Sequence, residues 1–371
     1  MSAPEDEDRY SPRIVIRPGG DILEGTSYRA IEQLAIGGMG EVFEAEHKAL
    51  GHRVVAKVLL QGLAERPDMR DRMRIEAQAL ARIRHPNLVL VTDCGETRGG
   101  HPFIIMERLV GCSLRERIAH DGRLERAEAV EIARQMMLGL HAVHRAGIVH
   151  RDVKPENVFL SATEDGRPYA RILDFGVAKV LDAGRDPRTP LPLVTPTLEG
   201  LLIGTPRYFS PEQARREGVL DPRTDIYSAG LVLYEMLTGR GPFDDATSVD
   251  ALCRAHVLEM PLPPSAVLGD PGLSPLDRVV LRALAKRKED RYPDAGAFAE
   301  ELGLFLLSLG LSDEWFEAPR PHFASMPDTR GIADAATTPD LPFDVTSLGD
   351  ASGTFVDSRS RQLASDAASW K

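Results

Sequence analysis

Cysteine is scarce in this chain and basic charge is in deficit. The three cysteines among 371 residues, Cys94, Cys112 and Cys253, cannot all pair with one another, and they stand too far apart for a metal knuckle. A disulfide-framed secreted scaffold is thereby excluded, and free thiols in a reducing compartment are expected. Lysine and arginine number 45 against 56 aspartates and glutamates, a formal charge of −11. Such an excess of acid argues against a nucleic-acid binder. The start, Met1 to Asp8, is acidic rather than basic and apolar, so it does not read as a signal peptide. Nor does any run read as a membrane span: the best candidate, Ala297 to Leu311, is short and carries Glu300 and Glu301. The expectation is a cytoplasmic protein with neither membrane nor nucleic acid as partner. No internal repeat is apparent.

The organisation follows composition. Residues 1–27 read as a disordered arm, charged and without amphipathic period apart from Ile14, Val15 and Ile16. Residues 317–371, rich in Ala, Asp, Ser, Thr and Pro, read as a disordered tail. Between them a small strand-rich part precedes a larger helical part. Val54 to Leu60 reads as a buried strand. A helix follows with an apolar stripe at Met69, Met73, Leu80 and Ile83. Glu76 falls on that stripe, and Lys57 sits inside the apolar strand. A buried charge without a partner is very costly, so each poses a problem that the other solves. Further on, Glu164-Asp165-Gly166 reads as a hairpin turn, and Asp225 opens a strongly apolar helix.

The chemistry is concentrated in His150-Arg151-Asp152-Val153-Lys154-Pro155-Glu156-Asn157 and, after it, Asp174-Phe175-Gly176. Two carboxylates, a lysine and an amide stand there in order on neighbouring loops. One acid can accept a bond from an incoming hydroxyl. The amide Asn157 and the second acid Asp174 are hard oxygen donors suited to Mg²⁺. Upstream, Leu34-Ala35-Ile36-Gly37-Gly38-Met39-Gly40-Glu41-Val42 is a run in which glycines let backbone N–H groups approach phosphate. A strand lysine, Lys57, follows 17 positions after Gly40.

Over roughly residues 28–306 this pattern resembles the bacterial eukaryotic-like (Hanks-type) serine/threonine protein kinases. The resemblance implies an α+β bilobal fold: a small β-rich N-lobe of five strands with one key helix, about residues 28–107, over a larger α-helical C-lobe, about 110–306. It implies ATP and Mg²⁺ as cofactors and proteins bearing Ser or Thr as substrates. It gives Asp152 the substrate hydroxyl, Lys154 the charge of the transferring group, Asn157 and Asp174 the metal, and Lys57 paired with Glu76 the ATP phosphates. It makes Met106 the gatekeeper, has the Glu107 carbonyl and the Leu109 N–H bond the adenine edge, and lines the adenine slot with Val55 and Phe159. Two departures stand out: Ala35 replaces the first glycine of the phosphate loop, and Val55 replaces a small alanine.

The same resemblance casts Gly204-Thr205-Pro206-Arg207-Tyr208-Phe209-Ser210-Pro211-Glu212 as a substrate-docking strip, with Glu212 paired to Arg291 and Asp225 holding the catalytic-loop backbone. It makes Thr195 and Thr197, with Thr189 a third option, sites of autophosphorylation that order the activation segment through Arg151. The histidines His141, His144 and His150 lack zinc spacing and are expected in structural roles. Ser and Thr residues of the tail are open to two readings, recruitment of phosphothreonine-binding domains or a solvating linker. Relatives often dimerise through the small lobe, but no residue here argues for a homodimer. A scaffold that binds nucleotide without turnover is the alternative, and it would need Lys57, Asp152, Asn157 or Asp174 to be lost; all four are present. A small-molecule kinase would lack the long segment that closes on Pro211-Glu212.

Overall fold

Along β3, Arg53–Leu59, burial alternates rather than running continuously as expected. Val54, Ala56 and Val58 bury on one face of the sheet, while Val55 and Lys57 are half-exposed on the other. In the computed structural model this strand is the middle of a five-stranded antiparallel sheet in the order β1-β2-β3-β5-β4. Its other members are β1 (Tyr28–Ile36), β2 (Gly40–His47), β4 (Val91–Glu96) and β5 (Pro102–Glu107). The residues described are 21–36, 40–65, 67–162, 167–173, 206–215, 217 and 220–311. Outside them lie the expectations for residues 1–20, Gly37-Gly38-Met39, the turn Glu164-Asp165-Gly166, Asp174 and the segment after it, Thr189, Thr195, Thr197, Gly204, Thr205 and the tail 317–371. The side chains of Met69 and Glu76 lie outside them as well.

The sheet's two faces build two cores. Val54, Ala56 and Val58 join Ala45, Tyr28, Phe103 and Ile105 in one, and fully buried Leu23 closes it. Residues 21–27, read from sequence with the arm, therefore belong to the small lobe. Asp21 Oδ1 accepts from Leu23 N at 3.0 Å and from Ala30 N at 3.2 Å, which fastens this turn to β1. Leu59 and Ile104 on the opposite face pack with Met73, Ala77 and Leu80 of a helix. That helix, α2 (Pro67–Leu80), follows the short α1 (Gln61–Ala64) and includes position 76.

The larger part is helical: α3 (Leu114–Asp121), α4 (Arg126–Arg145), α5 (Pro211–Ala214), α6 (Arg223–Thr238), α7 (Val249–Leu258), α8 (Pro264–Leu268), α9 (Ser274–Ala283) and α10 (Ala295–Ser308). Helix α6 is buried from Thr224 to Thr238, which explains why its sequence is apolar all round. A small sheet of β6 (Cys112–Ser113), β7 (Val158–Ala162) and β8 (Pro168–Ile172) lies in this part. The β7–β8 pairing, Ala162 opposite Pro168, is the hairpin read from sequence. Where the chain enters this sheet from β5, Gly111 has φ 151°, and a Cβ there would stand 1.9 Å from the Leu160 carbonyl oxygen. Only glycine lets these two backbones meet so closely. The chain from β5 through Gly111 into β6 joins the strand-rich part to the helical part.

Candidate active site

The loop His150–Asn157 is held from beneath by one carboxylate. Asp225, fully buried in the first turn of α6, accepts from His150 N at 2.8 Å, from Arg151 N at 2.7 Å and from His144 Nε2 at 2.7 Å. Burial alone would raise its pKa, but the His144 bond and the neighbouring groups hold it below the ordinary aspartate range. Arg151 is a non-glycine residue at positive φ, 64°. That left-handed conformation costs roughly 1–2 kcal/mol, and it is offset by bonds on both sides of the residue: its N–H donates to Asp225 and its carbonyl accepts from Gln213 Nε2 at 2.9 Å. The conformation turns the chain so that Asp152 and Asn157 face each other across a short 3-10 turn, Pro155–Asn157.

Asp152 is then fixed from two sides. Lys154 Nζ lies 3.3 Å from its Oδ2. Asn157 Nδ2 donates to the same Oδ2 at 3.1 Å and to the Asp152 carbonyl at 2.8 Å. Because the Asn157 amide nitrogen is committed there, its Oδ1, a hard oxygen of the kind Mg²⁺ takes, is the atom left for a cation. Leu173, the last described residue before Asp174, donates its N–H to the Asn157 carbonyl at 2.9 Å. His150 is buried, and its Nδ1 accepts from Asp152 N at 3.2 Å. His144 and His150 thus serve the loop's shape, whereas His141 lies 3.7 Å from Asp294 at the start of α10. Among the described residues no cluster of three or more His, Cys, Asp or Glu could hold a metal.

On the strand side the register sets Val42 opposite Lys57, Lys57 opposite Ile104, and Val55 opposite Met106. Directly paired residues share a face, so these side chains form one patch on the half-exposed side of the sheet. Ala35 pairs with Val42 and Ile36 with Glu41, so the β1–β2 ladder continues through the position where a glycine was expected, with a register shift between Gln33 and Ala35. Leu34 is half-buried and Ile36 is exposed. A Cβ on Gly40 would lie 2.7 Å from the Val58 carbonyl oxygen. The Glu41 carboxylate accepts from Gln33 Nε2 at 2.5 Å. At the end of β5, Glu107 is fastened by its N–H to Leu90 O at 3.0 Å and by its Oε1 to Leu90 N at 2.9 Å. Leu109 follows half-buried, and the buried Phe159 ring lies against Gly111. Val42, Val55, Ile104 and Met106 thus make an apolar patch beside Lys57, with backbone packed closely at Gly40.

The strip Pro206–Glu212 is locked to the helical part. Arg291, with no exposed side-chain surface, donates to Glu212 Oε1 at 2.8 Å and to Oε2 at 2.9 Å. Ser210 caps α5, its Oγ accepting from Gln213 N at 3.3 Å while Gln213 Oε1 accepts from Ser210 N at 2.9 Å. A reciprocal cap of this kind explains a serine at this position.

Sequence reasoning missed a charged array beside this strip. Arg115 of α3 donates to Glu156 Oε1 at 2.8 Å, to Glu235 Oε1 at 2.9 Å and to the Tyr208 hydroxyl. Tyr208 donates to Glu235 Oε2 at 2.6 Å, and burial with the Glu235 charge keeps its hydroxyl protonated well beyond the usual range. Arg207 bridges Glu235 at 2.9 Å and Asp244 at 2.6 Å. The signal was present in the sequence: Glu235 is an acid inside the apolar run of α6, and such an acid needs partners.

A family model described as "Protein kinase domain" matches residues 28–267. Serine/threonine-protein kinase Pkn1 of Myxococcus xanthus is 40% identical over 281 residues, covering 76% of this chain and 38% of that one. Serine/threonine-protein kinase PknB of Mycobacterium tuberculosis is 41% identical over 280 residues, covering 74% and 42%. The crystal structure of the Mycobacterium tuberculosis PknI kinase domain superposes with a TM-score of 0.57 at 25% identity, covering 77% of this chain and 98% of that one. A two-part α+β fold with this loop and this sheet is that of a protein kinase. The chain belongs to the protein kinase family, and it is similar throughout the match to bacterial Hanks-type serine/threonine kinases. It spans about two fifths of the length of these curated relatives. Among the described residues no helix is long and apolar enough to cross a membrane.

Proposed function

We propose that this chain transfers the terminal phosphoryl group of Mg-ATP to serine or threonine hydroxyls of proteins. The observation that carries the reading is the double constraint on Asp152, whose Oδ2 lies 3.3 Å from Lys154 Nζ and accepts from Asn157 Nδ2 at 3.1 Å. A neutral alcohol is a poor nucleophile, and a carboxylate fixed in this way orients it and takes its proton. When bound, Mg-ATP supplies the phosphoryl group and the cation that offsets its charge. Asn157 and Asp174 would hold that cation, and Lys57 with Glu76 would grip the phosphates. Leu34, Ala35, Ile36, Gly37, Gly38, Met39, Gly40, Glu41 and Val42 would cover them. Val55, Met106, Glu107, Leu109 and Phe159 would hold the base. Lys154 would screen charge beside the acceptor. Little covalent work falls to the protein, so positioning and electrostatics carry the rate.

The test is intact-mass spectrometry of purified protein with Mg-ATP, beside Asp152→Asn. Gain of whole phosphates by the natural chain alone supports the reading, and mapping them tests Thr195 and Thr197. Absence of any gain, on itself or on added protein, while nucleotide still binds would overturn it in favour of a scaffold.

A further inference from the structure

The array around Arg115 lies between the two parts that a peptide substrate must touch. Glu156 stands between Lys154 and Asn157 in the catalytic loop, and Arg207 and Tyr208 belong to the docking strip. On the kinase reading above, a peptide that brings its hydroxyl to Asp152 while resting on residues 206–210 passes over the ground between them. The charges there alternate in space: Asp244, Arg207, Glu235, Arg115, Glu156. Three carboxylates face two guanidiniums. One of these carboxylates, Glu235, has a side chain only 2% exposed, and Arg115 itself is 17% exposed.

An acidic patch beside an acceptor site ordinarily draws a basic residue of the substrate. Here that attraction is already satisfied from within. Arg115 spends its guanidinium on Glu156, Glu235 and the Tyr208 hydroxyl at once. It is not a loose arm: it sits in the first turn of α3, and that turn is fixed by a reciprocal cap, Ser113 Oγ accepting from Glu116 N at 3.1 Å and Glu116 Oε2 accepting from Ser113 N at 2.7 Å. A substrate cation would have to displace three contacts to gain the same place. On Glu156 the second oxygen, buried, has no hydrogen-bond partner among the described residues.

We propose that Arg115 is a specificity-determining residue which fills, from within the chain, the acidic pocket formed by Glu156 and Glu235, so that this kinase does not require a basic residue in its peptide substrates. Without Arg115, three carboxylates would face Arg207 alone, and the vacated volume would be lined by Glu156, Glu235 and Tyr208. That pocket has the charge and the shape to take a guanidinium from outside.

The experiment measures kcat and KM for serine and threonine peptides in which Arg or Gln occupies each of four positions on either side of the acceptor. In the natural chain the Arg-to-Gln ratio of kcat/KM stays below about fivefold at every position, the scale of one exposed ion pair. Arg115→Met raises that ratio to about tenfold or more at one position, through KM and not kcat, because a desolvated pair with the vacated carboxylates is worth more. Adding Glu156→Gln to Arg115→Met removes the gain, whereas Glu156→Gln alone leaves the ratio within about twofold of the natural chain. A natural chain that already selects Arg by tenfold, with the selection abolished by Glu156→Gln, would overturn the proposal, and so would a folded Arg115→Met with a flat profile. Should Arg115→Met not melt cooperatively, the natural chain and Glu156→Gln alone decide between these outcomes. An active enzyme with the wrong profile refutes only this inference; a natural chain that phosphorylates no peptide, no protein and not itself refutes the kinase reading and this inference with it.

Discussion

Removing either partner of the Glu212–Arg291 pair should destabilise the fold far more than removing a surface ion pair, and removing both should cost much less than the sum. The guanidinium makes two parallel bonds of 2.8 and 2.9 Å to the carboxylate, with side chains 0% and 5% exposed. Stranding one member of such a buried pair costs about 3–5 kcal/mol. Neither is wholly stranded, however. Arg291 keeps Ala285 O at 2.8 Å, Arg223 O at 2.9 Å and the Tyr227 ring at 4.9 Å, and Glu212 keeps Thr224 Oγ1 at 2.9 Å. The low end, about 3 kcal/mol for each of Glu212→Gln and Arg291→Met, is therefore expected. The double variant should cost about 3–4 kcal/mol, giving a coupling of about 2–3 kcal/mol. Equilibrium urea unfolding of the four proteins at neutral pH measures it. Additivity within about 0.5 kcal/mol would refute the claim that the pair acts as a unit.

The same pair predicts an acid limb. Burial pushes the Glu212 carboxyl up, but the Arg291 bonds outweigh it and hold the carboxyl below the ordinary glutamate range. A group depressed in the folded state contributes its full stability above its unfolded value, about 4.3, and loses it as pH falls through the folded value. The natural chain should therefore lose stability below about pH 4.5 more steeply than Glu212→Gln.

Two further outcomes follow from other buried groups. Asp225→Asn replaces a triple acceptor with an amide that presents a donor to one of His150 N, Arg151 N or His144, so it should cost about 2–3 kcal/mol and lower kcat at least tenfold by releasing the loop; thermal unfolding and initial-rate assays check both, and a variant equal to the natural chain in each would refute the assignment. His256 is buried in α7 and its pKa is pushed down to about 3, first by burial and then by the nearby Lys286 charge. Protons then bind the unfolded chain but not the folded one between about pH 6.5 and 3, so stability should fall by about 2 kcal/mol from pH 7 to pH 5, and His256→Phe should remove that share of the loss. Urea unfolding at the two pH values, compared between the two proteins, tests it, and equal losses would show that His256 does not carry the effect.

Motif order was the legible part of this chain. The loop from His150 to Asn157 and the strand with Lys57 were readable because each residue type has a chemical reason to stand at its spacing, and the Glu212–Arg291 pairing because the family resemblance implied it. The helix stripe of Met73 and Leu80 placed α2 correctly because one face of a helix repeats every three to four residues. Burial on β3 was misread as continuous, since a short apolar run does not say which of its faces meets a second layer. The turn at residues 21–27 was read as arm because its anchor is one leucine, Leu23, and a single apolar residue carries no period. Val55 and Ala35 could be seen as departures, but their effect depends on cross-strand partners, and register cannot be read from one strand.

Glu76 and Glu235 show where that kind of reasoning stops. Glu76 falls on the apolar stripe of an otherwise charged helix and Glu235 lies inside an apolar one, and the rule that a buried charge needs a partner is the one applied to each. For Glu76 the rule pointed to Lys57, because a strand with an unexplained cation lies nearby in sequence. For Glu235 the partners include Arg115 and Tyr208, 120 and 27 residues away, and Arg207 beside Tyr208. Nothing local marks Arg115, an arginine in an amphipathic helix of ordinary composition. The sequence thus states that a debt of charge exists inside α6, but only the packing of α3, the docking strip and the catalytic loop around that helix says who settles it. That is why the candidate catalytic loop could be singled out in advance, whereas the array proposed above to bear on substrate choice could not: motif residues recur on fixed spacings, and this array is assembled from surfaces that meet only in the fold.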